Sequence, residues 1–90
     1  METKTATTIF EVFTSDIRLA IFRLLVKCAP EGLVAREISQ ILNIPKTDLS
    51  SHLEIIVNSG LANMERKNRT ARYKANISLM LETIAYLMAE

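Results

Sequence analysis

Cysteine, glycine, proline and tryptophan are scarce in this 90-residue chain, which has one Cys, two Gly, two Pro and no Trp. A single cysteine forms no disulfide within the chain, which agrees with a reducing compartment. The sequence has no uninterrupted apolar run near the ~20 residues that a membrane-spanning helix needs. It also lacks a glycine-rich phosphate loop, a serine-nucleophile motif and paired His or Cys residues. We therefore expect a cytoplasmic protein that is not an enzyme and carries no cofactor.

Positive charge is concentrated in one short segment. Lys and Arg outnumber Asp and Glu only by 11 to 10, which gives a net charge of +1. Residues 65–74, however, contain five basic residues and one acidic residue, and so carry a net charge of +4. A local basic segment of this kind is typical of a nucleic-acid-binding surface. The composition, 49% hydrophobic and 23% charged, is otherwise that of an ordinary globular domain.

Residues 34–60 are predicted to form two short helices joined by a tight turn. Apolar residues of the first helix recur at i, i+4, i+7 and i+8 and share one face: Val34, Ile38, Ile41 and Leu42. Asn43 suits a left-handed position after the helix, and Pro45 cannot continue it. The second helix starts near Lys46, ends at Gly60 and turns four apolar residues inward: Leu49, Leu53, Ile56 and Val57. This is a helix-turn-helix, whose second helix can enter a DNA major groove.

Three further helices are predicted around this segment. Residues 5–13 form a short amphipathic helix, with Ala6, Ile9, Phe10 and Phe13 on its apolar face. Ser15 is a good N-cap for a second helix, which ends near Cys28 and is expected to be the most buried helix of the domain. Asn76 can cap a last amphipathic helix over residues 77–89.

A β-hairpin is predicted between the helix-turn-helix and the last helix. Residues 61–66 and 70–76 have the alternating pattern of two short strands, and they are joined by a turn near Asn68. The predicted fold class is therefore mainly α with a small β-hairpin (α+β). It comprises a single domain over residues 1–90, with five helices and one two-stranded hairpin.

The most distinctive part of the sequence is the run 37–53, above all residues 49–53 (LSSHL), with residues 60–61 (GL) following closely. This run resembles the ArsR/SmtB family of winged-helix repressors, and the similarity extends more loosely over about residues 9–88. The resemblance implies a winged helix-turn-helix in which residues 61–76 form the wing. Asn68 stands where the family often has Gly, and the turn is kept because Asn also tolerates a positive φ.

The resemblance places DNA contacts at the start of the second helix of the helix-turn-helix. The positions that match the family's DNA-facing residues are Lys46, Thr47, Ser50, Ser51 and His52. Hydroxyl and basic side chains near a helix N-terminus can donate to phosphates and base edges. Asp48 and Glu54 are acidic neighbours, which favours contacts concentrated between Lys46 and Ser51. The alternative interpretation of this face is a polar surface that contacts only solvent.

The cations of the wing are candidates for contacts with the DNA backbone. Arg69, at the predicted tip, is the candidate for the minor groove, and Arg66, Lys67 and Arg72 are candidates for phosphates. A run of charge on a hairpin is often merely solvated. Its position directly after a helix-turn-helix favours DNA.

The first and last helices, residues 5–13 and 77–89, are expected to form a homodimer interface. They carry more apolar surface than so small a core can absorb, and an exposed apolar patch promotes association. The family also dimerises through these two helices. The candidate interface residues are Ile9, Phe10, Phe13, Ile84, Leu87 and Met88.

No metal site is expected, because both well-known metal sites of the family lack their ligands here. One site uses a cysteine pair at the start of the first helix of the helix-turn-helix, where residues 33–37 (LVARE) have none. The other uses His and carboxylates along the last helix, where only Glu82 and Glu90 occur. His52 is the only histidine, and one imidazole without converging ligands is not a site.

Cys28 is interpreted first as a small apolar packing residue near the end of the second helix. The alternative is a redox-sensing thiol. That role needs a resolving thiol, which only a second copy of the chain could supply.

The sequence therefore predicts a DNA-binding transcriptional regulator, a repressor that binds an inverted-repeat operator in double-stranded DNA as a homodimer. The alternative is a winged-helix protein-interaction module with little DNA binding, favoured by the modest net charge, by Asp48 and Glu54, and by Val57. Within the DNA-binding class, the protein is either constitutive or controlled by a small molecule, or else redox-controlled through Cys28. The sequence identifies no effector.

Overall fold

The computed structural model describes residues 1–89 and confirms the predicted fold class. Within these residues the helices are α1 (Thr3–Val12), α2 (Asp16–Lys27), α3 (Ala35–Leu42), α4 (Lys46–Asn58) and α5 (Ile77–Met88). The strands are β1 (Leu33–Val34), β2 (Ala62–Lys67) and β3 (Thr70–Ala75). Glu90, the last residue of the predicted domain, lies outside the described residues. Among residues 1–89, no helix is long and apolar enough to cross a bilayer.

The ends of the helices follow the capping residues that the sequence indicates. The Ser15 hydroxyl accepts a hydrogen bond from the Arg18 amide at 3.2 Å and begins α2. The Asn76 side chain accepts one from the Leu79 amide at 3.2 Å and begins α5. Asn43 ends α3 with φ 53°, in the left-handed region. Each side-chain cap contributes about 1 kcal/mol, so these residues define where the chain turns.

The hydrophobic core is formed by one face of each of α1 to α4 together with the start of β2. Its most completely buried apolar side chains are Ile9, Ile21, Leu25, Ile38, Leu49, Ile56 and Leu61. The inward residues predicted for α4 are confirmed, since Leu49, Leu53 and Ile56 are buried and Val57 is half-buried. Because these residues face inward, the polar residues of the same helix face solvent.

Three details of the predicted core are wrong. Ile41, placed on the inner face of α3, is 57% exposed, because it lies in the last turn at the edge of that face. In α1 the inward set is Ala6, Ile9 and Val12, whereas Phe10 is 39% exposed. The second predicted helix, α2, is not the most buried helix of the domain, since α1 and α4 bury as many residues. It buries Ile21, Phe22 and Leu25 but leaves Ile17, Leu19 and Val26 exposed.

The sheet has three antiparallel strands in the order β1-β3-β2, so the predicted two-stranded hairpin gains a short third strand. In β1, Leu33 is opposite Tyr73 of β3, and this pairing attaches the hairpin to the start of α3. Gly32 precedes β1 with φ 75°, and a Cβ there would collide with the Tyr73 carbonyl. The hairpin turn has Asn68 at φ 59°, as the sequence predicts.

Candidate nucleic-acid interface

The turn between α3 and α4 sets the direction of the second helix. The Ser39 hydroxyl donates to the Ile44 carbonyl at 2.6 Å, and the Ile44 amide donates to the Ser39 carbonyl at 3.1 Å. With the inner face of α4 in the core, four of its predicted DNA-facing side chains are exposed together: Lys46, Thr47, Ser50 and Ser51. The start of α4 therefore presents a small polar surface on a rigid support.

The two serines of this surface already use their hydroxyl hydrogens within the helix. Ser50 donates to the Lys46 carbonyl at 3.2 Å, and Ser51 donates to the Asp48 carbonyl at 3.1 Å. In this conformation each oxygen retains lone pairs and acts as an acceptor toward a ligand. To donate to a phosphate or a base edge, a serine must first rotate away from its helix carbonyl.

The structure places His52 differently from the other four residues. Its side chain is half-buried, and its Nδ1 lies 3.3 Å from Nη1 of Arg18 in α2. Because a guanidinium only donates, Nδ1 is the acceptor in this contact. The sequence did not indicate this link, since the two residues are 34 positions apart. The predicted contact of His52 with DNA stays a prediction.

The cations of the wing fall into two groups. Arg66, Lys67 and Arg69 surround the Asn68 turn and are exposed. The other two cations are engaged within the chain. Arg72 Nη1 donates to the Gly32 carbonyl at 3.0 Å, and Lys74 Nζ lies 3.0 Å from a Glu65 carboxylate oxygen. Arg72, predicted to contact phosphate, thus helps to hold the loop before β1 against the sheet. The exposed cations of the wing that make no contact within the described residues therefore lie at the tip.

The wing and α4 lie next to each other. Ser50 and Glu54 of α4 line a cleft of 310 Å³ together with Met64 of β2 and Tyr73 of β3. The polar surface of α4 therefore borders the strands of the wing at Ser50.

The candidate dimer residues are exposed with two exceptions. Ile9 is fully buried in the core of its own chain, so its assignment to an interface is wrong. Phe13 is half-buried and packs edge to face on Phe22, with the ring centroids 5.4 Å apart. The other four candidates, Phe10, Ile84, Leu87 and Met88, are exposed.

Two further residues of α5, Ile77 and Leu81, belong to the same exposed surface. With Ile84 and Met88 they recur at i, i+4, i+7 and i+11, which places all four on one face, here called the α5 stripe. The spacing of these four apolar residues is visible in the sequence, so the stripe could have been predicted from it. The Thr3 and Tyr86 hydroxyls, 2.7 Å apart, hold the start of α1 beside the end of α5.

Cys28 is a free, half-buried thiol that packs against the core at the end of α2. Throughout residues 1–89, no three His, Cys, Asp or Glu side chains converge in a way that could hold a metal ion. The described part of the chain thus exposes one polar and cationic surface and one apolar stripe.

The comparisons with known proteins identify the fold. Neither the models of protein families nor the curated proteins include a match to this chain. Among solved structures, HlyU from Vibrio cholerae is 24% identical, with full coverage of both chains and a TM-score of 0.75. An ArsR-like transcriptional regulator from Rhodococcus is 19% identical over 93% of this chain and 76% of its own, with a TM-score of 0.83. At these identities the likeness shows the fold alone: the chain is a winged helix of the type found in ArsR-like transcriptional regulators.

Proposed function

We propose that this protein is a sequence-specific DNA-binding transcriptional regulator, and that it represses by occupying an operator as a homodimer. The observation that carries the proposal is that α4, whose start is polar and exposed, borders one cleft with the strands of the wing, whose tip carries three exposed cations. A major groove and its flanking phosphates form an extended ligand with matching chemistry. The names of the structural neighbours, which describe transcriptional regulators, agree with this function.

In this proposal the start of α4 supplies the sequence preference. The helix N-terminus favours a phosphate through its free amides and dipole, and Lys46 and Thr47 lie beside it. Ser50 and Ser51, one turn further along, reach base edges. The exposed carboxylate of Glu54 repels phosphates and confines the contact to the first two turns of α4, where Asp48 also disfavours a phosphate close to its own side chain.

The wing supplies affinity that does not depend on sequence. Arg69 enters the minor groove, and Arg66 and Lys67 contact the flanking phosphates. Each phosphate contact releases counterions and makes the slope of log K against log salt steeper by about 0.9. Arg72 contributes indirectly, because its bond to the Gly32 carbonyl fixes the wing against the rest of the domain.

The homodimer assembles through the α5 stripe, with Phe10 of α1 as a further apolar contact. Leu81 is 61% and Met88 79% exposed in the isolated chain, which is a large apolar surface for a domain of this size. A two-fold axis between two α5 helices presents two α4 helices to successive major grooves, about 34–36 Å apart. The operator is then an inverted repeat.

The test is selection of bound duplexes from a random pool by the purified protein at moderate salt, followed by sequencing. We expect enrichment of an inverted repeat with half-site centres about ten base pairs apart. A parallel selection with Arg66, Lys67 and Arg69 all replaced by Ala should recover far less DNA.

The opposite outcome is retention that shows no sequence enrichment and disappears with a small addition of salt. That result would contradict the proposal. It would favour the alternative, a protein-interaction module, in which the acidic residues Asp48 and Glu54 face a protein partner.

A further inference from the structure

A second cleft, of 570 Å³, opens beside the C-terminal half of α4. It lies between α1, the first turn of α2 and the C-terminal half of α4. Val12 and Ile55 supply apolar surface, while Thr8 and Asn58 supply hydroxyl and amide groups. Its volume lies within the range of ~300–1,000 Å³ that is usual for small-molecule sites. A mixed lining of this kind suits a small molecule with an apolar body and one polar group.

Arg18 supplies the positive charge of this cleft. Its guanidinium makes three contacts: Nε donates to the Val12 carbonyl at 2.8 Å, Nη2 to the Glu11 carbonyl at 3.4 Å and Nη1 to His52 Nδ1 at 3.3 Å. All three acceptors are uncharged, and the one salt bridge among the described residues is that between Lys74 and Glu65. A guanidinium has five N–H groups, so two remain for a ligand. Arg18 is therefore a half-buried, oriented cation without an anionic partner.

The chemistry of an oriented guanidinium points to a carboxylate ligand. Arginine binds a carboxylate in a planar, charge-assisted geometry, and fixing its orientation beforehand lowers the entropic cost of binding. Glu11 also lines the cleft, and its exposed carboxylate opposes additional negative charge. The site should therefore prefer a monoanion to a dianion.

The same guanidinium links the cleft to the proposed DNA-binding helix. Nη1 of Arg18 contacts His52, which directly follows Ser51 in α4. A carboxylate that accepts from the two free N–H groups, one of which is on Nη1, draws the guanidinium toward the cleft and lengthens its contact with His52. This movement weakens a restraint on the part of α4 that carries the proposed base contacts.

We propose that this cleft is the effector site of the protein, and that it binds a small organic monocarboxylate with an apolar body through Arg18 and thereby weakens DNA binding. The control of DNA binding rests on the proposed function, whereas occupation of the cleft does not.

The proposed dimer leaves the cleft open. Thr8 lines the cleft, and Phe10, two residues further along α1, lies about 200° away around the helix. The cleft and the apolar surface proposed for dimerisation are therefore on opposite flanks of α1.

The first experiment follows amide NMR shifts of the ¹⁵N-labelled full chain during titration with benzoate. Benzamide is the neutral isostere, and phthalate is the dianion. We expect saturable shifts around the cleft with benzoate and binding at least tenfold weaker for benzamide and phthalate. Equal titration by benzoate and benzamide, or no saturable shift with benzoate, would overturn the proposal.

Matched variants identify the site. Arg18→Gln should weaken benzoate binding at least tenfold, whereas Arg23→Gln, which removes an exposed arginine from the same helix, should leave it unchanged. Because Arg18→Gln removes a contact between helices, Thr8→Phe is the second variant. It fills the cleft from an exposed position and should also block benzoate while the melting temperature stays near that of the wild type. Unaltered benzoate binding by both folded variants contradicts the assignment.

The second experiment measures the affinity for the selected operator with and without saturating benzoate. We expect a decrease of about fivefold for the wild type, which is at the lower end of typical allosteric coupling, and no change for Thr8→Phe. Saturation of the cleft without any change in operator affinity would overturn the regulatory part of the proposal. If the selection yields no operator, the proposed function fails, while the NMR result still decides whether the cleft binds carboxylates.

Discussion

The protein exposes two surfaces of opposite chemistry. One consists of the start of α4 and the tip of the wing, and the other is the α5 stripe. The first consists of hydroxyl and cationic side chains. The second consists of Ile77, Leu81, Ile84 and Met88. A polar surface is stable in water and can exchange water for a polyanion, whereas an apolar stripe is stabilised only by another apolar surface. The difference indicates two kinds of partner on one small domain.

The packing of α5 explains why its outer face matters. Its inner face contributes Leu79 and Met80, which pack against the core, and Thr83, which is buried with its hydroxyl donating to the Leu79 carbonyl at 2.7 Å. Its outer face is apolar as well. A helix that is hydrophobic on both faces is normally buried on both. The start of α4, in contrast, has a polar outer face, so this helix needs to be buried only on its inner face.

The largest expected effect comes from placing a charge in the α5 stripe. Leu81→Glu should convert the proposed dimer to a monomer and lower the affinity for an inverted repeat by about 100-fold, because the two half-sites are then bound by separate molecules. Analytical ultracentrifugation and a DNA titration would measure the two effects. Ser78→Glu is the control, since it adds the same carboxylate on the polar flank of α5. A Leu81→Glu protein that stays dimeric would show that the stripe is not the interface.

An intermediate effect is expected at the wing tip. Arg69→Ala should weaken binding to every duplex and make the slope of log K against log salt shallower by about 0.9 for each protomer, because the minor groove loses one cation that displaces counterions. Fluorescence anisotropy over a range of salt concentrations measures this slope. Lys4→Ala removes an exposed cation near Asn58, at the opposite end of α4, and should leave the slope unchanged. If both variants give the wild-type slope, the tip of the wing does not enter the minor groove.

The smallest effect is expected from Ser50→Ala. Removal of one hydroxyl from the start of α4 should change the preference at one base pair by about 1 kcal/mol, or about fivefold, without changing the salt slope. Competition among duplexes that differ at a single position would reveal the change. Ser78→Ala is the matched control. A uniform loss of affinity across all duplexes would assign Ser50 to the backbone rather than to the bases.

Most of the secondary structure could be predicted because its signals are local. Ser15, Asn43 and Asn76 act within one or two turns of their own position, and each ends or begins a helix as predicted. The wing turn at Asn68 depends only on a positive φ. The inward face of α4 follows from its own periodicity.

The errors share a different cause, which is that burial depends on neighbours distant in sequence. Ile41 satisfies the helical spacing, but no other element covers it, whereas the adjacent Leu42 packs against the core. Ile9 and Phe10 are adjacent and equally apolar, and only the position of α1 on the core decides that Ile9 is buried and Phe10 exposed. Strand β1 has two residues, too few for any periodic pattern.

The sequence by itself determined the order of the helices, the helix-turn-helix, the position of the wing and the local concentration of positive charge. These features depend on periodicity, capping residues and turn residues, which act over a few positions. The tertiary structure alone decided that Arg72 holds the loop before β1, that Lys74 is paired with Glu65, and that Arg18 joins the 570 Å³ cleft to His52. Such contacts form between residues far apart in the chain, so they exist only once the elements have packed.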